Sequence, residues 1–387
     1  MLGGILVLII ITVSFIMYLS GKNKIANQPQ NQQESQQPPN PASGGSGSGT
    51  GSGSGSGSGN SGSGSGSSAE QSSSNAILTK ITNDQAVGPS LSYDGQAIWY
   101  FTPDGHLYKE NLGTGLKQEK LLPSQIAASA VIWPQAGNDF ILESDSSAGK
   151  SFYYYNSSDG SFTRYPPQVK EVDFMPDGKT VAYDWSDNSG SYLSVANSDL
   201  TQHQTIVKLP DKDEVVKVSP TSANMILAYN ANDAQSGKLY YIKVDAKTIT
   251  AIKTGESDQA EWAPDGIHFL YYKLNAKNPS DKELWLGNIQ QGTDQALGID
   301  VPLSKAVFSG DSSDLYFAAS GSSGDSIWKM DLQNLSKSLA YSSQGNPVTA
   351  ENLLLSSDSG TLYFINSDGY IYSVNLSLAQ RQSGASE

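Results

Sequence analysis

The side chains that could do nucleophilic or acid–base chemistry are few and scattered along this chain. Its 387 residues contain no cysteine and three histidines, His106, His203 and His268. Each histidine lies in or beside a predicted turn or strand of a different repeat, where a structural or surface role is expected. No Gly-x-Ser-x-Gly stands on a strand-to-helix turn, and no helix carries His-Glu-x-x-His. We therefore expect no catalytic residue, no metal site and no cofactor.

One acidic segment, from Asp184 to Gly190, has the oxygen groups that calcium takes six to eight at a time. It lacks the strict alternation of acidic positions found in a calcium loop. An ordinary polar loop is the favoured interpretation.

A second acidic pattern, Ser356-x-Asp358-x-Gly360 with Tyr363, resembles the Asp-box of sialidases. Sialidases also resemble one another in three arginines that bind the substrate carboxylate, and this chain has two arginines in all. The pattern also falls where a turn is expected, so we interpret it as a turn.

The Asp-box-like residues belong to a motif that recurs seven times. Each copy consists of an apolar or aromatic residue, then a small turn, and then a strand rich in tyrosine and tryptophan. The clearest copies begin at Leu91, Phe174 and Trp262, and each ends in Asp-Gly. Degenerate copies begin at Trp133, Val218, Phe308 and Leu355, so that successive copies are 42, 41, 44, 44, 46 and 47 residues apart. A period in the forties made of short strands predicts propeller blades.

The repeat also predicts four strands per blade and a count of seven. In Pro-Asp-Gly, proline presets the first turn residue and glycine takes the positive φ, so these residues reverse the chain. Third strands align on aliphatic–aromatic pairs such as Leu107-Tyr108 and Leu284-Trp285, which we assign to the core. The last blade ends near Leu376 without an outer strand, and residues 77–82 have the character of one. Circular closure by residues 77–82 satisfies both ends and removes a free sheet edge.

These turns and third strands resemble the TolB-like, WD40-like propeller repeats of bacterial proteins and the N-terminal propeller of dipeptidyl-peptidase-like enzymes. The resemblance covers residues 76–378 and implies an all-β, seven-bladed propeller. It also implies a protein-binding scaffold outside the cytoplasm, as is common for TolB-like members. The hydrolase domain that follows the propeller in the peptidase-like group has no counterpart, so that activity is not implied.

The composition of the N-terminal fifth of the chain predicts a membrane anchor followed by a flexible tether. Residues 2–20 include an uncharged apolar run long enough to cross a bilayer. No basic residue precedes the run and no Ala-x-Ala triplet follows it, which favours an uncleaved transmembrane helix over a cleaved signal peptide. Residues 21–75 are rich in Gln, Asn, Pro, Gly and Ser and predict a disordered linker. A short disordered tail is expected at residues 379–387.

Charge narrows the class of partner. The formal net charge is −14, and the chain has only two arginines. Because binding to nucleic acid needs a basic surface that contacts the phosphates, nucleic acid is not expected as a partner. The sequence predicts a single-pass, membrane-anchored monomer whose propeller is extracytoplasmic. There it would bind a protein or a cell-envelope polymer without catalysis. Lys22 and Lys24 after the apolar run favour the opposite orientation, but long domains translocate largely regardless of charge.

Two alternatives remain open: a carbohydrate-active or other propeller enzyme with axial carboxylates, and a structural spacer or sensor ectodomain. The loops between second and third strands share one face with the connections between blades. They are predicted to be long and polar at residues 230–238 and 274–282. We expect the partner site on that face around blades 4 and 5, with Lys277 and Asp281 as test positions.

Overall fold

The computed structural model describes residues 77–383 except 93, 121, 123–125, 148, 213, 231–237, 257–258, 276–277 and 344–346. The predicted membrane helix at residues 2–20 and the linker at 21–75 lie outside the described residues and stay predictions. In the described part of the chain, no helix combines the length and the apolar character needed to span a bilayer.

Seven four-stranded antiparallel sheets form the described part, each corresponding to one blade. Strand β1 (Leu78–Lys80) precedes the first blade. From the inner to the outer strand, the first three blades are β2 (Val87–Leu91), β3 (Ala97–Phe101), β4 (Leu107–Asn111) and β5 (Lys117–Lys120); β6 (Ala130–Ile132), β7 (Phe140–Ser146), β8 (Gly149–Asn156) and β9 (Ser161–Arg164); and β10 (Val169–Phe174), β11 (Thr180–Asp187), β12 (Gly190–Asn197) and β13 (Gln204–Lys208).

Blades 4 to 7 repeat the same order. They are β14 (Val215–Ser219), β15 (Ser222–Tyr229), β16 (Lys238–Lys243) and β17 (Thr248–Glu256); β18 (Ala260–Trp262), β19 (His268–Asn275), β20 (Asn278–Asn288) and β21 (Thr293–Ala296); β22 (Ala306–Phe308), β23 (Asp314–Gly321), β24 (Gly324–Asp331) and β25 (Lys337–Tyr341); and β26 (Glu351–Leu355), β27 (Thr361–Ile365) and β28 (Ile371–Asn375). A 3-10 turn, Leu303–Lys305, precedes β22. The inner strands β2 and β26 of the first and last blades contact each other, which closes the ring.

The closure of the ring confirms the prediction for residues 77–82. Strand β1 is the outer strand of blade 7 and pairs antiparallel with β28, in a register that places Leu78 opposite Val374. The main-chain N–H of Ile81 donates to the carbonyl of Ile371 at 2.8 Å, which extends the pairing beyond the strand. The start and the end of the propeller therefore share one sheet. The predicted count of seven four-stranded blades is confirmed.

The Asp-Gly residues reverse the chain, as predicted. Gly95, Gly178 and Gly266 have φ of 66°, 63° and 67°. Two of the four degenerate copies, those that begin at Phe308 and Leu355, have Ser312 and Ser359 at the same place, with φ of 59° and 56°. A non-glycine residue is strained in this left-handed region because its Cβ approaches the following carbonyl.

The third strands form the core as predicted, and the two residues of each aliphatic–aromatic pair point to opposite faces of the sheet. The first member is buried at 0–1 % exposure in Leu107, Phe152, Leu239, Leu284, Ile327 and Ile371. In blade 3 the order is reversed, and Leu193, which follows Tyr192, is the buried residue. The other residue of each pair points to the other face of the sheet, because side chains alternate along a strand. Apolar clusters thus fill the spaces between adjacent blades.

Two boundaries differ from the prediction. Residues 274–275 and 278–282 lie in strands β19 and β20 rather than in a long loop, and β19 pairs with β20 as far as Asn275 opposite Asn278. Strand pairing satisfies the main chain there even though the residues are polar, a case that composition alone does not reveal. Residue 277, the side chain of residue 281 and residues 231–237 lie outside the described part of the chain.

The C-terminal end differs as well. Helix α1 (Leu376–Ser383) occupies the start of the segment for which a disordered tail was expected. The side chain of Asn375 accepts the N–H of Leu378 at 3.0 Å, as an N-cap does. Leu376 and Ala379, three residues apart, are 2 % and 9 % exposed. A cap and one apolar face are enough to hold this short helix against the last blades.

Candidate functional site

The centre of the ring is lined by the residue that precedes the motif in each inner strand. In blade order these residues are Ser90, Ile132, Asp173, Lys217, Glu261, Val307 and Leu354. All seven are at least partly exposed although they lie on the innermost strands, as expected for the lining of an axial opening. Blades 3, 4 and 5 contribute consecutive charged residues, whereas the other four blades contribute serine or aliphatic side chains. The opening is therefore charged on one side and mainly apolar on the other.

Lys217 and Glu261 form an ion pair across blades 4 and 5. The Nζ of Lys217 lies 3.3 Å from Oε2 of Glu261, and the two side chains are 35 % and 54 % exposed. The negative charge of Glu261 raises the pKa of Lys217, with burial opposing it and Asp173 adding to the rise. Glu261 is thus the more exposed member of this pair, and its charge favours the protonated form of Lys217.

Asp173 is held by main-chain donors from two blades. Its Oδ2 accepts the N–H of Val218 in blade 4 at 2.8 Å, and its Oδ1 accepts the N–H of Phe174 at 2.9 Å. Burial raises the pKa of Asp173 to about 6, and the positive charge of Lys217 opposes that rise. The carboxyl group secures the free edge of β14, and its pKa lies above the ordinary value of 3.8.

A second set of ion pairs joins blades 2 and 3. Lys150 lies 2.8 Å from Glu171 and 3.2 Å from Glu143. Burial raises the pKa of Glu171, and the hydrogen bond from Lys150 opposes the rise. Lys217 also acts on Glu171, so the two sets are electrostatically coupled. We call these six residues the axial charge cluster: Glu143, Lys150, Glu171, Asp173, Lys217 and Glu261.

Tryptophan side chains hold the inner strands in place around the opening. The indole Nε1 of Trp262 donates to the carbonyl of Lys217 at 2.9 Å. Trp133 makes the same bond to the carbonyl of Gly88 at 3.0 Å. Each indole thus satisfies a main-chain group on the exposed edge of the preceding blade, where no further strand can pair. The cluster therefore rests on braced strands rather than on loops.

The three histidines lie in blades 1, 3 and 5, and the fold does not bring them together. Nδ1 of His268 lies 2.6 Å from Asp265 and its Nε2 lies 3.0 Å from the Asn288 amide, so both ring nitrogens are engaged within one blade. Nδ1 of His106 lies 2.7 Å from Glu119, and His203 is exposed. These contacts are those of structural and surface residues.

The Asp-box-like pattern is a turn in the structure. Ser356 Oγ donates to Asp358 Oδ1 at 2.6 Å, and the N–H of Gly360 donates to the same oxygen at 2.9 Å. The first blade uses the same device, since Ser92 Oγ donates to Asp94 at 2.6 Å. Both carboxylates stabilise the reversal of the chain.

The acidic segment from Asp184 to Gly190 belongs to a hairpin rather than a loop. Asp187 accepts the N–H of Ser189 at 2.7 Å and shapes the turn, whereas Asp184 is fully buried in β11. Over the described residues, no group of three or more His, Cys, Asp or Glu side chains is arranged to hold a metal ion. The oxygens of this segment are therefore not gathered around one point.

Sequence reasoning missed the axial charge cluster. For Asp173, Lys217 and Glu261 the signal was present in the residue before the motif copy, which is charged in these three blades and uncharged in the other four. It becomes interpretable only once the blades are superposed around an axis, because Lys217 and Glu261 are 44 residues apart in the chain.

No family model matches this chain, and no curated protein matches it in sequence. Solved structures do match in fold. An oligogalacturonate lyase in complex with manganese has a TM-score of 0.57 and 12 % identity over 78 % of this chain and 94 % of that one. Kuenenia stuttgartiensis hydrazine synthase has a TM-score of 0.55 and 13 % identity, over 76 % and 96 % of the two chains. U3-55K has a TM-score of 0.53 and 11 % identity, over 77 % and 98 %. At this identity the likenesses establish that the chain has a β-propeller fold.

Proposed function

We propose that this protein is a membrane-anchored, extracytoplasmic propeller that binds a protein or a cell-envelope polymer as a scaffold of the TolB-like kind. The observation that carries the proposal is the axial charge cluster. Four of its six members are carboxylates. Three of these, Glu143, Glu171 and Glu261, lie 3.2, 2.8 and 3.3 Å from a lysine ammonium group. Carboxylates engaged in this way suit recognition of a charged partner better than proton transfer.

The chemistry of the cluster favours a partner that presents a basic group. Its four carboxyl groups exceed its two ammonium groups, and the most exposed member is the carboxylate of Glu261. A lysine or arginine side chain, or an amine on a polymer, would meet net negative charge there. The apolar side of the opening, with Ile132, Val307 and Leu354, would receive the stem of such a side chain.

The predicted anchor and the predicted tether support the proposed location. A transmembrane helix at residues 2–20 followed by some 55 polar residues would hold the propeller on a flexible chain. At roughly 5 to 6 Å times the square root of length, that chain spans about 40 Å. A tethered propeller could then search for its partner beyond the membrane surface.

Site-specific crosslinking in the native organism tests the binding site. A photoreactive amino acid at position 261 should form adducts with the partner, whereas one at the exposed outer position of Leu116 should not. The charge reversal Glu261→Lys, combined with a crosslinker at position 307, should reduce the adducts formed there, because it removes the exposed negative charge that a basic group would meet. Adducts of equal yield at positions 116 and 261 would contradict an axial site.

Proximity labelling from the tether tests the location independently. A labelling enzyme inserted near residue 60 should modify extracytoplasmic proteins if the predicted orientation holds. Labelling confined to cytoplasmic proteins would refute the location and leave the axial binding site open to the crosslinking test.

An enzyme is the second candidate, and Asp173 is the observation that favours it. Its pKa of about 6 is suited to acid–base chemistry near neutral pH, and it lies at the axial opening. Both of its oxygens accept main-chain N–H groups, which argues for a structural role instead. Incubation with oligogalacturonate, the substrate named by one fold neighbour, provides a test. Cleavage that Asp173→Asn abolishes would establish the enzyme.

A further inference from the structure

A cleft of about 370 Å³ lies on the flank of blade 6 that faces blade 5, and no member of the axial charge cluster lines it. Its lining includes Phe317 and Ala319 on β23, Trp328 on β24, and Ile299 in the connection between β21 and β22. Phe317 is buried in the same apolar cluster as Leu284 of blade 5, whereas the other three residues are partly exposed. The volume falls within the range of small-molecule sites, roughly 300 to 1,000 Å³.

The indole of Trp328 lacks the covering cation that lies over the equivalent ring in several other blades. Trp328 follows the buried Ile327, as Tyr108 follows Leu107 in blade 1. In blades 1, 2 and 5 a cation lies over the ring: Lys117 at 3.4 Å from the centre of Tyr108, Arg164 at 5.8 Å from Tyr153, and Lys273 at 4.0 Å from Trp285. Among the described residues, no cation covers Trp328 and no acceptor meets its indole N–H.

The position of Lys337 explains the difference. Lys337 on β25 is the counterpart of Lys117 on β5, since each lies opposite the residue two places after the exposed ring. Lys117 lies over Tyr108, but Nζ of Lys337 donates to the carbonyl of Gly298 at 2.7 Å, next to the cleft. An ammonium group has more than one donor, so Lys337 can bind a ligand while it holds Gly298. The cation therefore stands beside the indole of Trp328 instead of covering it.

The lining combines apolar and aromatic side chains with a cation and no acid. Of the eight described residues that line the cleft, Lys337 is the only charged one, and Ser320 and Ser326 carry hydroxyl groups. The hydroxyl of Ser320 donates to Asp325 at 2.9 Å, whereas Ser326 lies on the same face of β24 as the indole. Asp300 is exposed beside the cleft without lining it. In a chain with a net charge of −14, this lining complements a negatively charged ligand.

We propose that this cleft binds an acidic sugar, such as a uronic acid unit of a polysaccharide. The C–H face of the sugar ring stacks on Trp328, because water solvates that face poorly and an indole is both apolar and a hydrogen-bond donor. The carboxylate of the sugar pairs with the ammonium of Lys337. The hydroxyl of Ser326 and the indole N–H bond the ring hydroxyls. The site shares no residue with the axial charge cluster, so each can fail without the other.

Saturation-transfer difference NMR on the full chain in lipid nanodiscs tests the site. The two probes are methyl β-D-glucuronide and methyl β-D-glucoside, which differ in the carboxylate alone. Hydrogens on one face of the glucuronide ring should receive the most saturation, because that face lies on the indole. The glucuronide should bind roughly fivefold more tightly than the glucoside, which is the effect of an exposed ion pair.

Three variants assign the binding to the cleft. Lys337→Gln should remove the preference, so that the two probes bind within about twofold of each other. Trp328→Ala should weaken both probes by roughly tenfold. Lys117→Gln, the matched change in blade 1, should leave both affinities as in the wild type. If Trp328→Ala does not fold, Lys337→Gln on the exposed surface still decides the test together with the saturation pattern.

Three results would overturn the acidic-sugar site. The first is a wild type that transfers no saturation to either probe. The second is a wild type that binds the two probes equally, because the carboxylate would then contribute nothing. The third is a Lys337→Gln variant that retains the full preference for the glucuronide, because the cation would then lie elsewhere. None of these results bears on crosslinking at the axial opening, which tests the proposed function separately.

Discussion

Replacing Thr82 with valine tests how the ring is closed. Thr82 is 0 % exposed, its Oγ1 accepts the N–H of Ile371 at 3.0 Å, and its hydroxyl donates to the carbonyl of Asp84 at 3.0 Å. Valine has nearly the same shape but can make neither bond. The variant therefore leaves a buried N–H on the strand that receives β1.

The expected loss can be worked from these contacts. An unsatisfied buried donor costs about 1 to 3 kcal/mol. The lost bond to Asp84, which is partly open to solvent, adds about 0.5 to 1 kcal/mol. We expect Thr82→Val to lower the free energy of unfolding by about 1.5 to 4 kcal/mol. Thr82→Ser keeps the hydroxyl and loses one methyl group, so it should cost about 1 kcal/mol.

Urea denaturation followed by tryptophan fluorescence measures both variants, with the slope of the transition reporting whether the same surface is exposed. Faster amide exchange in β1 and β28 of Thr82→Val would place the weakening at the closure. Equal losses for Val and Ser, or a loss for Val within about 0.5 kcal/mol of zero, would refute the reasoning. The hydroxyl would then contribute nothing to closing the ring.

The remaining predictions concern turns and a buried ion pair, all measured by denaturation. Gly178→Ala should cost several times more than Gly95→Ala. Both glycines have φ near +65°, which costs alanine about 1 kcal/mol, but only at Gly178 would the Cβ lie 2.1 Å from a carbonyl oxygen of the preceding blade. Ser359→Gly should stabilise the protein by about 1 kcal/mol, because it removes a side chain from a left-handed residue. Lys305→Met should destabilise it by about 3 to 5 kcal/mol at neutral pH, because it leaves the buried carboxylate of Asp325 without its cation. Because the ion pair lowers the pKa of Asp325, that loss should shrink as the pH falls below its ordinary pKa of 3.8.

Each of these predictions has an outcome that would contradict it. Equal losses at the two glycines would show that the neighbouring blade yields to a methyl group. A less stable Ser359→Gly would show that the serine contributes more than its backbone conformation costs. A Lys305→Met loss that persists at low pH would place the effect in the packing of the lysine stem. The double variant with Asp325→Asn, which should recover part of the loss, separates packing from charge.

Local signals in the sequence were enough for the blades and their closure. The Asp-Gly turns at Leu91, Phe174 and Trp262 set the period, because the positive φ and the side-chain hydrogen bonds of a turn involve residues within five positions. The same local rules were available for α1, where Asn375 caps a helix with an apolar face. Composition hid that helix, since the segment is short and polar.

The extent of the β19–β20 hairpin was harder to predict. The polar residues at its end predict a loop from their composition. They form strands because each strand pairs with the other, which their own propensity does not indicate. The buried pair of Asp184 and Glu214 shows the same limit at the level of side chains. The two residues are 30 positions apart, and no local pattern indicates that the N–H of Glu214 donates to the carboxylate of Asp184.

The sequence by itself therefore determined the architecture of this protein, namely seven blades, their turns and the strand that closes them. Only the tertiary structure decided which charges meet. Lys150 and Glu171 come from different blades, as do Lys217 and Glu261, and the ring brings each pair together. The physical reason is one of range: turn geometry is encoded in a few consecutive residues, whereas an ion pair at the axis depends on how whole blades pack against each other.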